Sequence, residues 1–248
     1  ALATTYAATD ASMLGGAYVV DSLALFSKQL MIGSAAISVL ASWSSPHGAL
    51  TRRAAEYHFA LLVSLLGMLV LVSSRDLILL FVAFELMSIP LYVLTGFLKR
   101  EGTAPEAALK FFLVGTVSAA LIAYGLSFMY GVMGTTLLAG LRAATAQGHP
   151  LMLLGLGLVL AGLGFKIAAF PFHMWAPDSY EAGSTPFVAW LSVAPKAAGL
   201  VVIIRLYVAG AAGAALSWVP LLSILAGVTI VAGNLMAIPQ QNVKRLLA

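Results

Sequence analysis

The 248-residue sequence is 61% hydrophobic and 9% charged, with a net charge of +4 and no cysteine, and its mean hydropathy is +1.01. Soluble domains carry roughly 25% charged residues, so this chain cannot clothe itself in a polar surface and reads as an all-α integral membrane protein. The missing cysteines exclude thiolate-held iron–sulfur clusters, Cys-rich zinc sites and disulfides. The basic residues sit in short loops between apolar runs, which is a topology signal rather than a nucleic-acid footprint.

The chain begins Ala1-Leu2-Ala3 with no initiator Met, and it stops at Val243-Lys244-Arg245-Leu246-Leu247-Ala248 in what reads as the start of another helix. Both ends read as cut, so a partial chain is expected. Between them lie about seven transmembrane helices, each an apolar stretch near the length needed to cross roughly 30 Å of hydrocarbon. They lack the dyad alternation of a transmembrane barrel. The first, Ala17–Trp43, carries Asp21 and Lys28 toward its end, where snorkelling accounts for them. Glu56–Ser73 comes next, and Leu77–Leu98 follows with Glu85 about mid-span. Glu106–Met133 starts behind a capping box, with Thr103 as N-cap and Glu106 three residues on. Pro150–Ala169 contains Gly155-Leu156-Gly157 and Ala161-Gly162-Leu163-Gly164, small-residue clusters suited to close helix packing. Neither cluster has the Lys-Ser/Thr ending of a phosphate loop. Thr185–Val208 places Pro186 at the first helical position, where its missing N–H costs nothing. Ser217–Ile238 is the last stretch. Arg52, Arg53, Lys99, Arg100, Lys244 and Arg245 collect on one side, against Arg75, Arg142 and Arg205 on the other, which makes the first side cytoplasmic.

Four ionisable residues fall inside predicted spans: Glu85, Lys110, Lys166 and Lys196. Each costs about +2.5 to +3.5 kcal/mol at a bilayer centre, so they need a reason. Glu85 is either half of a structural ion pair or, the favoured reading, a carboxylate that changes protonation during transport. Burial and a nearby cation act oppositely on a carboxylic acid, so movement of a partner could gate its proton. Pro90, Pro171 and Pro195 stand beside Glu85, Lys166 and Lys196 and would free the carbonyls of Leu86, Ile167 and Leu191. Broken turns in membranes are tolerated where they line a polar cavity, and transporters place ion sites there. Lys110 lies about two turns from its helix start, and snorkelling and function both fit it. His149, His173, Asp178 and Glu181 lie in loops or at span ends without metal-ligand spacing, and no nucleophile–base pair is evident.

Phe84-Glu85-Leu86-Met87-Ser88-Ile89-Pro90-Leu91-Tyr92, Phe165-Lys166 with Pro171-Phe172-His173-Met174-Trp175-Ala176-Pro177-Asp178, and Asn242-Val243-Lys244-Arg245-Leu246-Leu247-Ala248 resemble the antiporter-like subunits of respiratory complex I, the proton-pumping NADH:quinone oxidoreductase. Ser192-Val193-Ala194-Pro195-Lys196-Ala197-Ala198-Gly199 and Tyr180-Glu181-Ala182-Gly183-Ser184-Thr185-Pro186 are most similar to its N-type subunit. The resemblance covers most of the chain from about Tyr18.

That resemblance implies a fold of two inverted five-helix repeats. Residues 1–55 would be a leading segment with one transmembrane helix, 56–208 the first repeat and 209–248 the start of a second, with two further helices expected before Ala17. It implies a proton-translocating subunit in which Glu85 modulates Lys166, Lys196 passes the proton onward and Lys110 matches a lysine of N-type chains. No cofactor, metal or redox chemistry is expected in this chain. Flavin, iron–sulfur clusters and quinone belong to partner subunits, and the partners are lipid and the other membrane-arm subunits of a bacterial inner-membrane complex. A multisubunit cation/proton antiporter and a scaffold with structural ion pairs are the alternatives.

Overall fold

The computed structural model describes residues 11–44, 50, 52–99, 102–211 and 215–248; Ala1–Ala3 and Arg100, used above, lie outside them. The chain opens with an antiparallel hairpin, β1 (Ala11–Met13) and β2 (Tyr18–Val20). Then come α1 (Ser22–Trp43), α2 (Ala54–Leu71), α3 (Leu77–Thr95), α4 (Ala104–Met133) and the short α5 (Leu141–Ala146). α6 (Pro150–Lys166) and α7 (Trp175–Ala182) are separated by a break. α8 (Thr185–Ile203) runs on into a π-helical segment, Ile204–Gly210, and is followed by α9 (Ala215–Ala237) and α10 (Val243–Leu246). Six helices among the described residues are long and apolar enough to cross a membrane, and α6 is a shorter apolar seventh.

The first apolar run is helical only from Ser22. Tyr18-Val19-Val20 forms a strand whose Val19 N–H donates to Ser73 O (2.9 Å), while Ala17 O accepts from Arg75 N–H (2.7 Å). Asp21 then caps α1, accepting from Ala24 N–H at 2.8 Å. The expected capping box at Thr103 does not form. Thr103 sits in the right-handed helical region (φ −87°, ψ −20°) and makes no side-chain cap bond, and Glu106 turns instead to Lys110 at 2.8 Å. An N-cap side chain needs an extended backbone to reach back to the first turn. At the start of α8 the cap position is Ser184, so Pro186 occupies the second helical position rather than the first.

Close approach of glycines packs the bundle. A Cβ at Gly155 would lie 2.8 Å from the Gly125 carbonyl, and one at Gly162 would lie 2.8 Å from the Ser118 carbonyl, so α4 and α6 meet backbone to backbone. Gly157, from the same cluster, faces open space. The outer faces carry exposed Phe26, Phe59, Val82, Ile89 and Val117, as expected of helices that are apolar all round.

One end of the bundle is tied by a buried ion pair. Arg205 (6% exposed) grips Asp21 (16%) through Nη2 to Oδ1 at 2.7 Å and Nη1 to Oδ2 at 2.8 Å. Its Nε donates to Val72 O at 2.7 Å, and Arg75 adds a bond to Asp21 Oδ2 at 3.1 Å. Snorkelling therefore does not account for Asp21. Nor does it account for Lys28, which is buried beneath the hairpin and donates to Tyr18 Oη at 2.7 Å. Burial pushes the Asp21 carboxyl up, but its bonds to Arg205, Ala24 and Arg75 prevail and hold it down at about 2, against 3.8 ordinarily. A depressed carboxyl contributes stability above its unfolded value and loses it as pH falls from about 4 through 2. The melting-temperature gap between the full-length protein and Asp21→Asn in detergent is accordingly expected to close over that interval. A gap that stays constant into acid would contradict the pairing.

Candidate functional site

The centre of the site is the end of α6. Lys166 is its last residue, and the helix stops in a Schellman motif: Ala169 N–H donates to Gly164 O (2.8 Å) and Ala168 N–H to Phe165 O (3.1 Å). Ala168 takes the left-handed seat (φ +56°) that glycine usually holds, at a cost of roughly 1–2 kcal/mol. The break runs over residues 167–174, so Ile167 already lies beyond the helix and its carbonyl is not one freed by Pro171 within a helical turn. α3 and α8 likewise continue through Pro90 and Pro195. Of the three charged positions beside prolines, only Lys166 stands at a true break; Glu85 and Lys196 sit in continuous helices.

The Lys166 side chain is 1% exposed. Its Nζ donates to Ser88 Oγ at 2.8 Å and lies 5.2 Å from the ring centre of Phe84 and 6.0 Å from that of Phe111. Ser88 in turn donates to Phe84 O at 2.6 Å. Among the described residues no salt bridge joins Lys166 to Glu85, although Glu85 lies on α3 one turn before Ser88 and its Oε1 is buried without a hydrogen-bond partner. Across the break, Trp175 of α7 donates from Nε1 to Phe165 O (2.9 Å) and stacks on Phe111 with ring centres 4.2 Å apart. The two halves of the interrupted helix are thus held together around the amine.

Lys196 is half-buried, with Nζ 5.1 Å above the Tyr180 ring centre. One turn further along α8, Gly199 packs on Lys166, where an added Cβ would come 3.6 Å from Lys166 Cβ. Glu85 thus lies one helical turn from the residue that Lys166 bonds, and Lys196 one turn from the residue that packs on Lys166. Lys110 does not join them. Half of its side chain is exposed (50%), and it pairs with Glu106 at 2.8 Å and Asp178 at 3.0 Å. It lines a cavity of about 250 Å³ with Thr103, Glu106, Asp178, Glu181 and Arg245. Asp178 and Glu181, which read as loop charges or caps, both hold Arg245 (2.9 and 2.7 Å), so the start of α10 docks on α7. Lys110, Lys244 and Arg245 meet in this cluster, and Asp21, Arg75 and Arg205 form a separate one.

Among the described residues no three His, Asp or Glu side chains converge on a point that could hold a metal ion. His173 stacks on Phe170 with ring centres 5.4 Å apart. The chemistry available is proton exchange. A buried amine bonded to a hydroxyl and flanked by two aromatic rings lies one helical turn from a carboxylate whose Oε1 has no hydrogen-bond partner among the described residues, in a region where charge is costly. Ser88 carries no charge to mark it in the sequence, though its i+3 spacing from Glu85 places both on one face.

Residues 74–248 match the family described as NADH:quinone oxidoreductase/Mrp antiporter, transmembrane. The chain is 40% identical over 233 residues to NADH-quinone oxidoreductase subunit N of Heliobacterium modesticaldum, covering 93% of this chain and 49% of that protein. It is 40% identical over 251 residues to the subunit N of Moorella thermoacetica, covering 100% of this chain and 52% of that one. A chain of respiratory complex I from Thermus thermophilus superposes with a TM-score of 0.80 at 34% identity, covering 99% of this chain and 52% of its own length. The chain spans about half the length of the curated relatives it matches.

Proposed function

The chain belongs to the NADH:quinone oxidoreductase/Mrp antiporter transmembrane family, and from that premise we propose that it forms part of a proton-translocating N-type subunit. Its setting is the membrane arm of an NADH:quinone oxidoreductase in a bacterial inner membrane. Quinone reduction elsewhere in the complex drives it, and flavin and iron–sulfur clusters reside in partner subunits, so this chain's part in the enzyme is translocation. Residues 56–208 act as the first of two inverted repeats, after a leading segment over 1–55, and 209–248 begins the second.

Lys166 is the proton carrier, Glu85 modulates it, and Lys196 hands the proton on. Lys110 works at the charged mouth rather than within the buried row. The observation that carries this reading is the Lys166 amine, fully buried beside Glu85 yet in no ion pair with it. A scaffold that locked helices by charge would have closed that pair, because an uncompensated buried charge destabilises the fold strongly. The family also includes Mrp antiporters. The 40% identity to N subunits along nearly the whole chain supports the oxidoreductase setting.

The test uses the assembled complex in sealed vesicles driven by NADH and quinone. Glu85→Gln is expected to lower the protons moved per electron pair while uncoupled electron transfer continues. An unchanged proton yield in this variant would overturn the role given to Glu85.

A further inference from the structure

We propose that Ser88 is the positioning residue of Lys166: its hydroxyl parks the amine one helical turn from Glu85, and transfer requires the amine to pass between these two stations. The inference rests on the reading of Lys166 as the proton carrier and deepens it. Three observations carry it. Among the described residues the buried amine has a single hydrogen-bond acceptor, Ser88 Oγ at 2.8 Å. The serine hydroxyl is fixed, because its own proton is committed to Phe84 O at 2.6 Å, which leaves a lone pair for the amine. Glu85 Oε1 is buried and unsatisfied on the same face of α3.

A carboxylate attracts an ammonium far more strongly than a hydroxyl does in low dielectric. The parked arrangement therefore needs an acceptor that does not rotate away, together with the Phe84 and Phe111 faces that stabilise a cation in place. Residues three apart on a helix are roughly 5–6 Å apart at Cβ, within the sweep of a four-carbon lysine stem. The other charged groups on the packed elements are engaged elsewhere. Lys110, Glu106, Asp178 and Arg245 pair with one another at the start of α4, and Lys196 lies over Tyr180. Glu85 is the carboxylate left for Lys166 among the described residues.

The test compares Ser88→Ala, Ser88→Thr and Lys166→Ala in the full-length subunit within the assembled complex, in sealed vesicles driven by NADH. The subunit's share of the proton flux is read as the difference between wild type and Lys166→Ala. Removing a hydrogen bond to a charged group predicts about a tenfold fall in that share for Ser88→Ala, with a displaced pH profile. Threonine keeps the hydroxyl and is expected to restore both. In a Glu85→Gln background Ser88→Ala is expected to add no further loss, since the competing station is gone. Wild-type flux and pH profile in Ser88→Ala would overturn the proposal, as would equal losses in the alanine and threonine variants. If Lys166→Ala itself pumps normally, the underlying reading fails; if it does not pump while Ser88→Ala does, only the role of Ser88 fails.

Discussion

Replacing Lys166 by alanine is expected to abolish proton translocation through this subunit while the complex still assembles. The side chain lies at the end of α6, bonded to Ser88 and bounded by Phe84 and Phe111, and among the described residues it closes no salt bridge that holds helices together. Truncation removes an expensive buried amine and leaves Ser88 bonded to Phe84 O, so the cost is chiefly a cavity, about 2–5 kcal/mol by analogy with large-to-small core changes. The neighbouring Schellman turn and the Trp175 bond to Phe165 O use backbone or other side chains and persist without it. Function has no such substitute, because Lys196, the nearest other amine among the described residues, is held over the Tyr180 ring. Vesicle acidification per electron pair and the yield of assembled complex check the two halves of this expectation. Full pumping in the variant would remove the carrier from the account.

The second large effect is structural. Arg205→Met is expected to destabilise the full-length protein by about 2–4 kcal/mol, because it leaves the Asp21 carboxylate with only Arg75 and the Ala24 N–H and leaves the Val72 carbonyl without its donor. The double variant Asp21→Asn with Arg205→Met is expected to recover part of that loss, since removing both partners of a buried pair is often close to neutral. Thermal unfolding in detergent measures both. A single variant no less stable than wild type would mean that the clamp between α1 and the end of α8 holds nothing.

The helices and the charged row were legible because a charge in a long apolar run has no bland explanation. Glu85, Lys166 and Lys196 stood out on that ground alone. Their partners did not. Arg205 and Asp21 are 184 positions apart, and each could be assigned separately to a helix end. Lys110 and Asp178 are separated by 68 positions, so the exposed mouth they share has no local signature. Ser88 was hidden by chemistry of another kind: a helical serine ordinarily bonds its own preceding turn, as this one does with Phe84 O, and nothing in the sequence marks the lone pairs left over.

Local rules failed where tertiary context outbid them. Tyr18-Val19-Val20 continues the apolar run into α1, and periodicity cannot separate a short buried strand from a helix end. Thr103 and Glu106 have the spacing of a capping box, yet Glu106 meets Lys110 instead. Prolines mark possible breaks, but α3 and α8 absorb theirs, and the break that forms at Lys166 is made by the backbone of 164–169.

The central claim is that the buried carboxylate and amine beside the break change protonation as the complex works. Infrared difference spectroscopy of the full complex, resting against turning over, tests it directly when wild type is compared with Glu85→Gln and Lys166→Ala. The account predicts a carboxyl band that appears or shifts on turnover, is absent from Glu85→Gln and is displaced in Lys166→Ala. Identical difference spectra in all three, with proton release continuing, would contradict it.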